Sequence, residues 1–279
     1  MKFSIVTPSF RNSAWLKLCI ASVADQQGVE FEHIVQDSCS DDGTQDWLPR
    51  DRRVKAFIEK DGGMYDAVNR GLRRATGDIL AYLNCDEQYL PGALRAVGGF
   101  FAAHPDVEIV FADSIVVDAN GGYLCHRKVL VPLKHHSMVC TLGVLSCAMF
   151  FRRSVLEKYG LFFDPKWRDA GDLDWVLRAL GRRARMAVLR RFTSTFADTG
   201  DNMNLKPNAR RETQLIFESA PPLIQKLAPA IKIYHRLRRL LRGIYFQKPF
   251  SYSIYTPASP ERRTEMRVNQ PTFIWKGRM

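Results

Sequence analysis

Over roughly the first 110 residues, short apolar runs alternate with amphipathic stretches. Phe3 to Thr7 reads as a strand stopped by Pro8, Glu32 to Gln36 as a second strand ending at Asp37, and Val54 to Ile58 as a third. Between them, Ser13 to about Asp25 places Leu16, Ile20 and Val23 on one helical face, with Asn12 or Ser13 as cap. A helix from about Met64 to Ala75 precedes Ile79-Leu80-Ala81-Tyr82-Leu83, an almost wholly apolar run that ends abruptly in Asn84-Cys85-Asp86-Glu87. Further on, the pattern predicts a helix near Gly92 to Ala103, a strand from Val107 to Ala112, and a turn at Asp118 to Gly122 that suits a hairpin. A strand over Cys147 to Phe151 and a helix from Gly171 to Leu180 follow, then a polar loop over Thr199 to Asn204. Strands alternating with helices at this spacing predict βαβ units: an α/β fold with a mostly parallel sheet flanked by helices.

The strand ends carry the candidate chemistry. A buried parallel strand that stops in Asn84, Asp86 and Glu87 would deliver acidic groups to the carboxyl edge of the sheet, where α/β proteins bind ligands. A metal-diphosphate site and a polar turn capping the helix near Pro91 explain these four residues about equally well. Asp37 suits a base or ribose contact or an Asx turn. Asp172 falls in the first turn of a helix, where it can cap or serve as a general base, whereas Asp174 stands four residues before Arg178 and suits an ion pair. A nucleotide diphosphate at such an edge calls for a divalent cation. Mg2+ or Mn2+ would take one or two carboxylates with phosphate oxygens, as Asp86 and Glu87 could provide.

Composition changes this picture mainly in the last fifth of the chain. The 279 residues are 46% hydrophobic, and the six cysteines occur singly, which argues against a structural zinc or a disulfide scaffold and for a reducing compartment. The N-terminal apolar run is too short for a signal peptide, and nowhere do about 18 apolar residues follow one another, so a cytoplasmic protein is expected. Of the net charge of +12, residues 221–279 supply +10, from twelve Lys or Arg and two Glu. The basic character therefore belongs to the tail and does not mark the core as nucleic-acid binding. Residues 1–220 read as the main domain and 221–279 as a basic amphipathic extension. In it Leu227, Ile231, Tyr234, Leu237, Leu241 and Ile244 recur at helical spacing, opposite Lys232, Arg236, Arg239 and Arg242. Docking of that apolar stripe on the domain is slightly preferred as a complete explanation. The other reading is a basic amphipathic helix lying on an anionic membrane, and both hold if the docked helix leaves its arginines exposed, which would give a peripheral place on the inner face of the cell membrane. Residues 250–279 show no clear pattern.

Four segments in order carry a resemblance: Ser4-Ile5-Val6-Thr7-Pro8-Ser9-Phe10; Glu32-His33-Ile34-Val35-Gln36-Asp37-Ser38-Cys39-Ser40-Asp41-Asp42-Gly43-Thr44; Asp61-Gly62-Gly63-Met64-Tyr65-Asp66-Ala67-Val68-Asn69-Arg70-Gly71; and Thr76-Gly77-Asp78-Ile79-Leu80-Ala81-Tyr82-Leu83-Asn84-Cys85-Asp86-Glu87. Together they resemble the family 2 inverting glycosyltransferases of GT-A fold, and the likeness continues more loosely to about residue 200. The resemblance implies a nucleoside-diphosphate sugar donor, with Thr7, Pro8 and Asp37 lining base and ribose and the Asp61 loop bordering that pocket. It implies that Asp86 and Glu87 end an Asp-x-Asp-type motif holding metal and diphosphate, and that Asp172 deprotonates the acceptor hydroxyl. A glycan or polyprenyl-phosphate-linked acceptor is the implied second substrate. Two departures stand out: Glu87 occupies a position where relatives usually have Asp, and no Gln-x-x-Arg-Trp motif follows the Asp172 helix, which favours transfer of one sugar per acceptor. A sugar nucleotidyltransferase would show a Gly-rich phosphate loop after the first strand, where Thr7-Pro8-Ser9-Phe10 stands instead. A non-catalytic module keeping the same fold is the remaining alternative.

Overall fold

The structure, a computed structural model, describes residues 1–140, 142–200, 202 and 207–275. Of the polar stretch Thr199 to Asn204, residues Asp201, Met203 and Asn204 lie outside the described residues. The chain opens β1 (Lys2–Ser9), α1 (Ser13–Ala24), β2 (Glu30–Asp37), α2 (Thr44–Trp47), β3 (Lys55–Ile58), α3 (Met64–Arg74), β4 (Ile79–Tyr82), β5 (Gln88–Tyr89) and α4 (Ala93–Ala103). It continues with β6 (Ile109–Asp118), β7 (Tyr123–Arg127), α5 (Lys134–Val139), β8 (Met149–Arg152), α6 (Ser154–Tyr159), α7 (Gly171–Gly181) and β9 (Met186–Asp198). Then come α8 (Pro207–Glu218), α9 (Pro222–Lys226), α10 (Ala228–Leu241), β10 (Phe250–Thr256) and β11 (Ser259–Val268).

The main sheet runs β3-β2-β1-β4-β8-β6-β9-β5, with β7 hydrogen-bonded to β6. β3, β2, β1 and β4 are mutually parallel, as are β6 and β9, and β8 is the antiparallel strand joining the two blocks. Residue alternation assigns the faces: Phe3 and Ile5 enter the apolar layer under α1 and α4, while Val6 points to the layer holding α3 and α7. Helices thus cover both faces of the parallel block, which is why β1, β2 and β4 are buried along most of their length. Pro8 does not stop β1. It pairs opposite Gln36 of β2, and since β4 has ended opposite Val6, no neighbour on the other side needs the N–H that proline lacks. The Asp118–Gly122 turn closes the β6–β7 hairpin as expected, the Asp118 carboxylate accepting the Asn120 and Gly122 amides at 2.8 Å.

The tail differs from expectation. Residues 250–268 form an antiparallel hairpin whose Tyr252, Ile254 and Val268 pack with Leu90, Ile115, Val117 and Ala197. On α10 the docking is inverted: Arg238 and His235 face the domain, Arg238 donating two bonds to Val131 O (3.1 Å each) and the His235 ring stacking on His136 at 3.5 Å. Of the stripe expected to dock, Ile231 is partly covered and Ile244 buried, while Leu227, Tyr234, Leu237 and Leu241 are exposed. Periodicity defines a stripe, but which side the domain accepts depends on neighbours distant in sequence, here Val131 and His136.

Candidate active site

The strand order lays the carboxyl ends of β3, β2, β1 and β4 along one edge, which gathers the loops after Ile58, Asp37, Ser9 and Tyr82. At β2, the turn reading is realised: fully buried Asp37 accepts the Ser40 amide at 2.8 Å and the Ser40 hydroxyl at 2.7 Å, so its carboxylate shapes this loop. The Asp61 amide donates to Ser38 Oγ at 3.4 Å and the Asp61 carboxylate accepts the Gly63 amide at 2.9 Å, tying the loops after β2 and β3 together. Thr7 is turned inward, its hydroxyl 2.8 Å from His33 Nε2 and near the Cys19 thiol. Its hydroxyl supports the sheet, and β1 continues through buried Pro8 to end at Ser9.

After β4 the chain makes a tight turn in which the Glu87 amide donates to Asn84 O (3.0 Å) and the Asn84 amide to Glu87 Oε2 (2.8 Å). None of these residues caps α4, whose N-cap is Gly92 in the left-handed region, so the capping alternative falls away. Glu87 is 1% exposed and lies against the Cys147 thiol, with burial pushing its acidity down and the neighbouring Asp86 charge adding to that. The expectation that Glu87 is a metal-facing ligand therefore meets a carboxyl turned into the protein as a brace. Asp86 is partly exposed and has no Lys or Arg partner among the described residues; burial raises its pKa also. Glu87→Gln, which keeps an oxygen for the Asn84 amide, should leave the melting temperature almost unchanged. Glu87→Ala should cost about 1–3 kcal/mol by orphaning that amide. Equal thermal melts of the two variants would refute the brace.

Asp172 occupies the first turn of α7, partly exposed, with Oδ1 accepting the Leu173 amide at 2.7 Å. Burial pushes its pKa up to about 6. Beneath it lies an aromatic floor. Tyr65 stacks on Phe163 (5.4 Å), Phe163 on Trp175 (5.6 Å), and Tyr82 meets Phe163 edge-on (5.2 Å). The Tyr65 hydroxyl accepts the Asp172 amide at 3.1 Å, and a Cβ on Gly171 would come within 2.5 Å of the Tyr65 ring, so only glycine lets the start of α7 sit this low. Tyr82 ends β4, so its contact with Phe163 brings this floor up to the strand that leads into Asn84–Glu87. Asp174 makes the anticipated ion pair, Arg178 Nε donating to it at 2.7 Å.

Two supports escaped the sequence reading. Tyr65 belongs to the Asp61–Gly71 segment, but nothing local announces that its hydroxyl meets residue 172. Buried Glu212 of α8 accepts the backbone amides of Arg168, Asp169 and Ala170 at 2.8–2.9 Å, pinning the loop that leads into Asp172. A lone glutamate more than forty residues downstream carries no signal of that role.

Comparison with known proteins agrees with this fold. The family model described as Glycosyl transferase family 2 matches residues 4–160. A PGL/p-HBAD biosynthesis glycosyltransferase of Mycobacterium bovis is 29% identical over 191 residues, covering 65% of this chain and 71% of the relative. Among solved structures, S. aureus TarS 1-349 in complex with UDP-GlcNAc superposes with a TM-score of 0.61 at 18% identity, over 86% of this chain and 73% of that one. The chain spans 46% of the longer TarS structure. Mannosyltransferase PcManGT from Pyrobaculum calidifontis, in complex with GDP-Man and Mn2+, gives a TM-score of 0.56 at 17% identity, over 86% and 78%. At these identities the structures speak for the fold.

Proposed function

The chain belongs to glycosyl transferase family 2, and from that membership we propose that it moves one sugar from a nucleoside-diphosphate sugar to a hydroxyl of a glycan or lipid-linked acceptor, with inversion. The observation that carries the proposal is Asp172: a partly exposed carboxylate with no cation partner among the described residues, set on an aromatic floor next to the β4 edge. Asp172 takes the proton of the acceptor hydroxyl as that oxygen bonds to the anomeric carbon, and the bond from that carbon to the diphosphate breaks with its electron pair. Pro8, Ser9 and the Asp61 loop border the nucleoside, while Asp37 shapes the loop after β2 and Thr7 braces β1 against β2.

No group of three His, Cys, Asp or Glu positioned to hold a metal occurs among the described residues, so an all-protein cage is not the expectation. Asp86, partly exposed and without a Lys or Arg partner among the described residues, fits a site completed by diphosphate oxygens and water. Bound there, Mg2+ or Mn2+ supplies charge neutralisation of the departing diphosphate. PcManGT, whose complex holds GDP-Man and Mn2+, supports a divalent ion, and TarS with UDP-GlcNAc supports a nucleotide-sugar donor.

Thermal-shift screening of UDP- and GDP-sugars with and without Mn2+ tests the donor assignment. One nucleotide sugar should raise the melting temperature in a Mn2+-dependent way, because a ligand that binds only the folded state stabilises it. No shift with any nucleotide sugar, and no release of nucleoside diphosphate, would favour the non-catalytic reading.

A further inference from the structure

We propose that the outward face of α9 and α10 is a membrane-insertion surface, lying in the interface of an anionic leaflet. Eight of the thirteen strongly exposed large hydrophobic residues among those described fall between Leu223 and Phe246. On α10 they share one side: Ile233, Tyr234, Leu237, Leu240 and Leu241 span about a third of the helical circumference at 100° per residue, and Leu241 is 84% exposed. A scatter of single exposed apolar side chains is ordinary; a continuous stripe is not.

Charge identifies the occupant. Residues 219–260 contain seven Lys or Arg and no Asp or Glu; exposed Lys232, Arg236 and Arg242 flank the apolar stripe around α10, and exposed Lys226 and Lys248 lie before and after that helix in the chain. A second copy docked face to face would bring these cations against themselves, whereas anionic headgroups complement them while acyl chains receive the leucines. The helix lies flat instead of crossing: its 14 residues span about 21 Å, and no helix is long and apolar enough to cross a membrane among the described residues. Its orientation is fixed from behind by the Arg238 bonds to Val131, the His136–His235 stack and buried Ile244. α5, which carries His136, also packs against α7, so the inserted face and Asp172 share a rigid connection. The sequence pattern suggested attachment by exposed arginines. The geometry points instead to insertion of the leucine face, with the cations as its rim.

The proposal rests on the lipid-linked acceptor reading only for its purpose, and its test involves no sugar transfer. The full chain is floated with vesicles of phosphatidylcholine alone and of phosphatidylcholine with phosphatidylglycerol, at low and high salt. Wild type should float with the anionic vesicles and keep a measurable fraction bound at high salt. Leu237→Glu/Leu241→Glu should lower partitioning about tenfold or more at both salt concentrations. Lys232→Glu/Arg236→Glu should lower it at low salt only. In Tyr234→Trp, the new fluorophore should be quenched by brominated lipid beyond the wild-type signal. The proposal is overturned by absence of wild-type flotation, by flotation that the leucine variant leaves unchanged, or by a dimer that this variant dissolves in sedimentation while vesicles go unbound. Failure of donor binding with intact flotation would overturn only the transferase reading.

Discussion

Asp172→Asn should lower the turnover of sugar transfer by about 10²–10⁴-fold while leaving donor-induced thermal stabilisation unchanged. Asparagine keeps the size of the side chain and an oxygen for the Leu173 amide, so the α7 start and its contact with Tyr65 survive and only proton acceptance is lost. A pH profile gives the second readout. A general base works ionised, and burial raises the pKa of Asp172, the proposed base, to about 6, above the ordinary carboxylate range. Activity of the wild type should therefore climb as pH rises through about 6 and level off above it, and the residual activity of the variant should lack that limb. Wild-type turnover in Asp172→Asn would remove the base assignment.

The largest expected loss of stability lies one turn along the same helix. Trp175 is fully buried, donates its indole N–H to Leu161 O at 2.6 Å, stacks on Phe163 and tilts onto Phe151 at 5.0 Å. Trp175→Ala opens a cavity under the aromatic floor beneath Asp172 and orphans a carbonyl, and should cost about 3–5 kcal/mol in denaturant unfolding. Trp175→Phe refills most of the volume and should cost distinctly less. Because Phe163 also supports Tyr65 and Tyr82, any Trp175→Ala protein that folds should lose turnover as well. Equal unfolding midpoints for Trp175→Ala and wild type would mean that the indole is not a packing element.

Much of the parallel half was legible because periodicity and strand ends agree there. β1, β2, β4, α1, α3 and α7 fall within a residue or two of expectation, and Asp174–Arg178 is an i,i+4 pair that spacing alone predicts. β9 was missed because Arg190 and Arg191 interrupt its apolar pattern, and its register with β6 shifts beside them, between Ala112 and Ser114. The β10–β11 hairpin was not read: Tyr252, Ile254 and Thr256 do alternate inward, but Ser259 to Val268 is mostly polar and shows no matching alternation. At the site, residue type marked Asp86, Glu87 and Asp172. Which carboxyl turns inward depended on Asn84 and Cys147, and no local pattern encodes that.

Glu212 bears on where this enzyme can be cut. The family match ends at residue 160, yet the loop that presents Asp172 hangs from three amide bonds to a helix beginning at Pro207. A minimal catalytic fragment, or a chimera exchanging acceptor-side segments between relatives, has to carry α8 together with α7. A junction placed between them separates a carboxylate from the amides it holds, and the exchanged piece would arrive without its anchor.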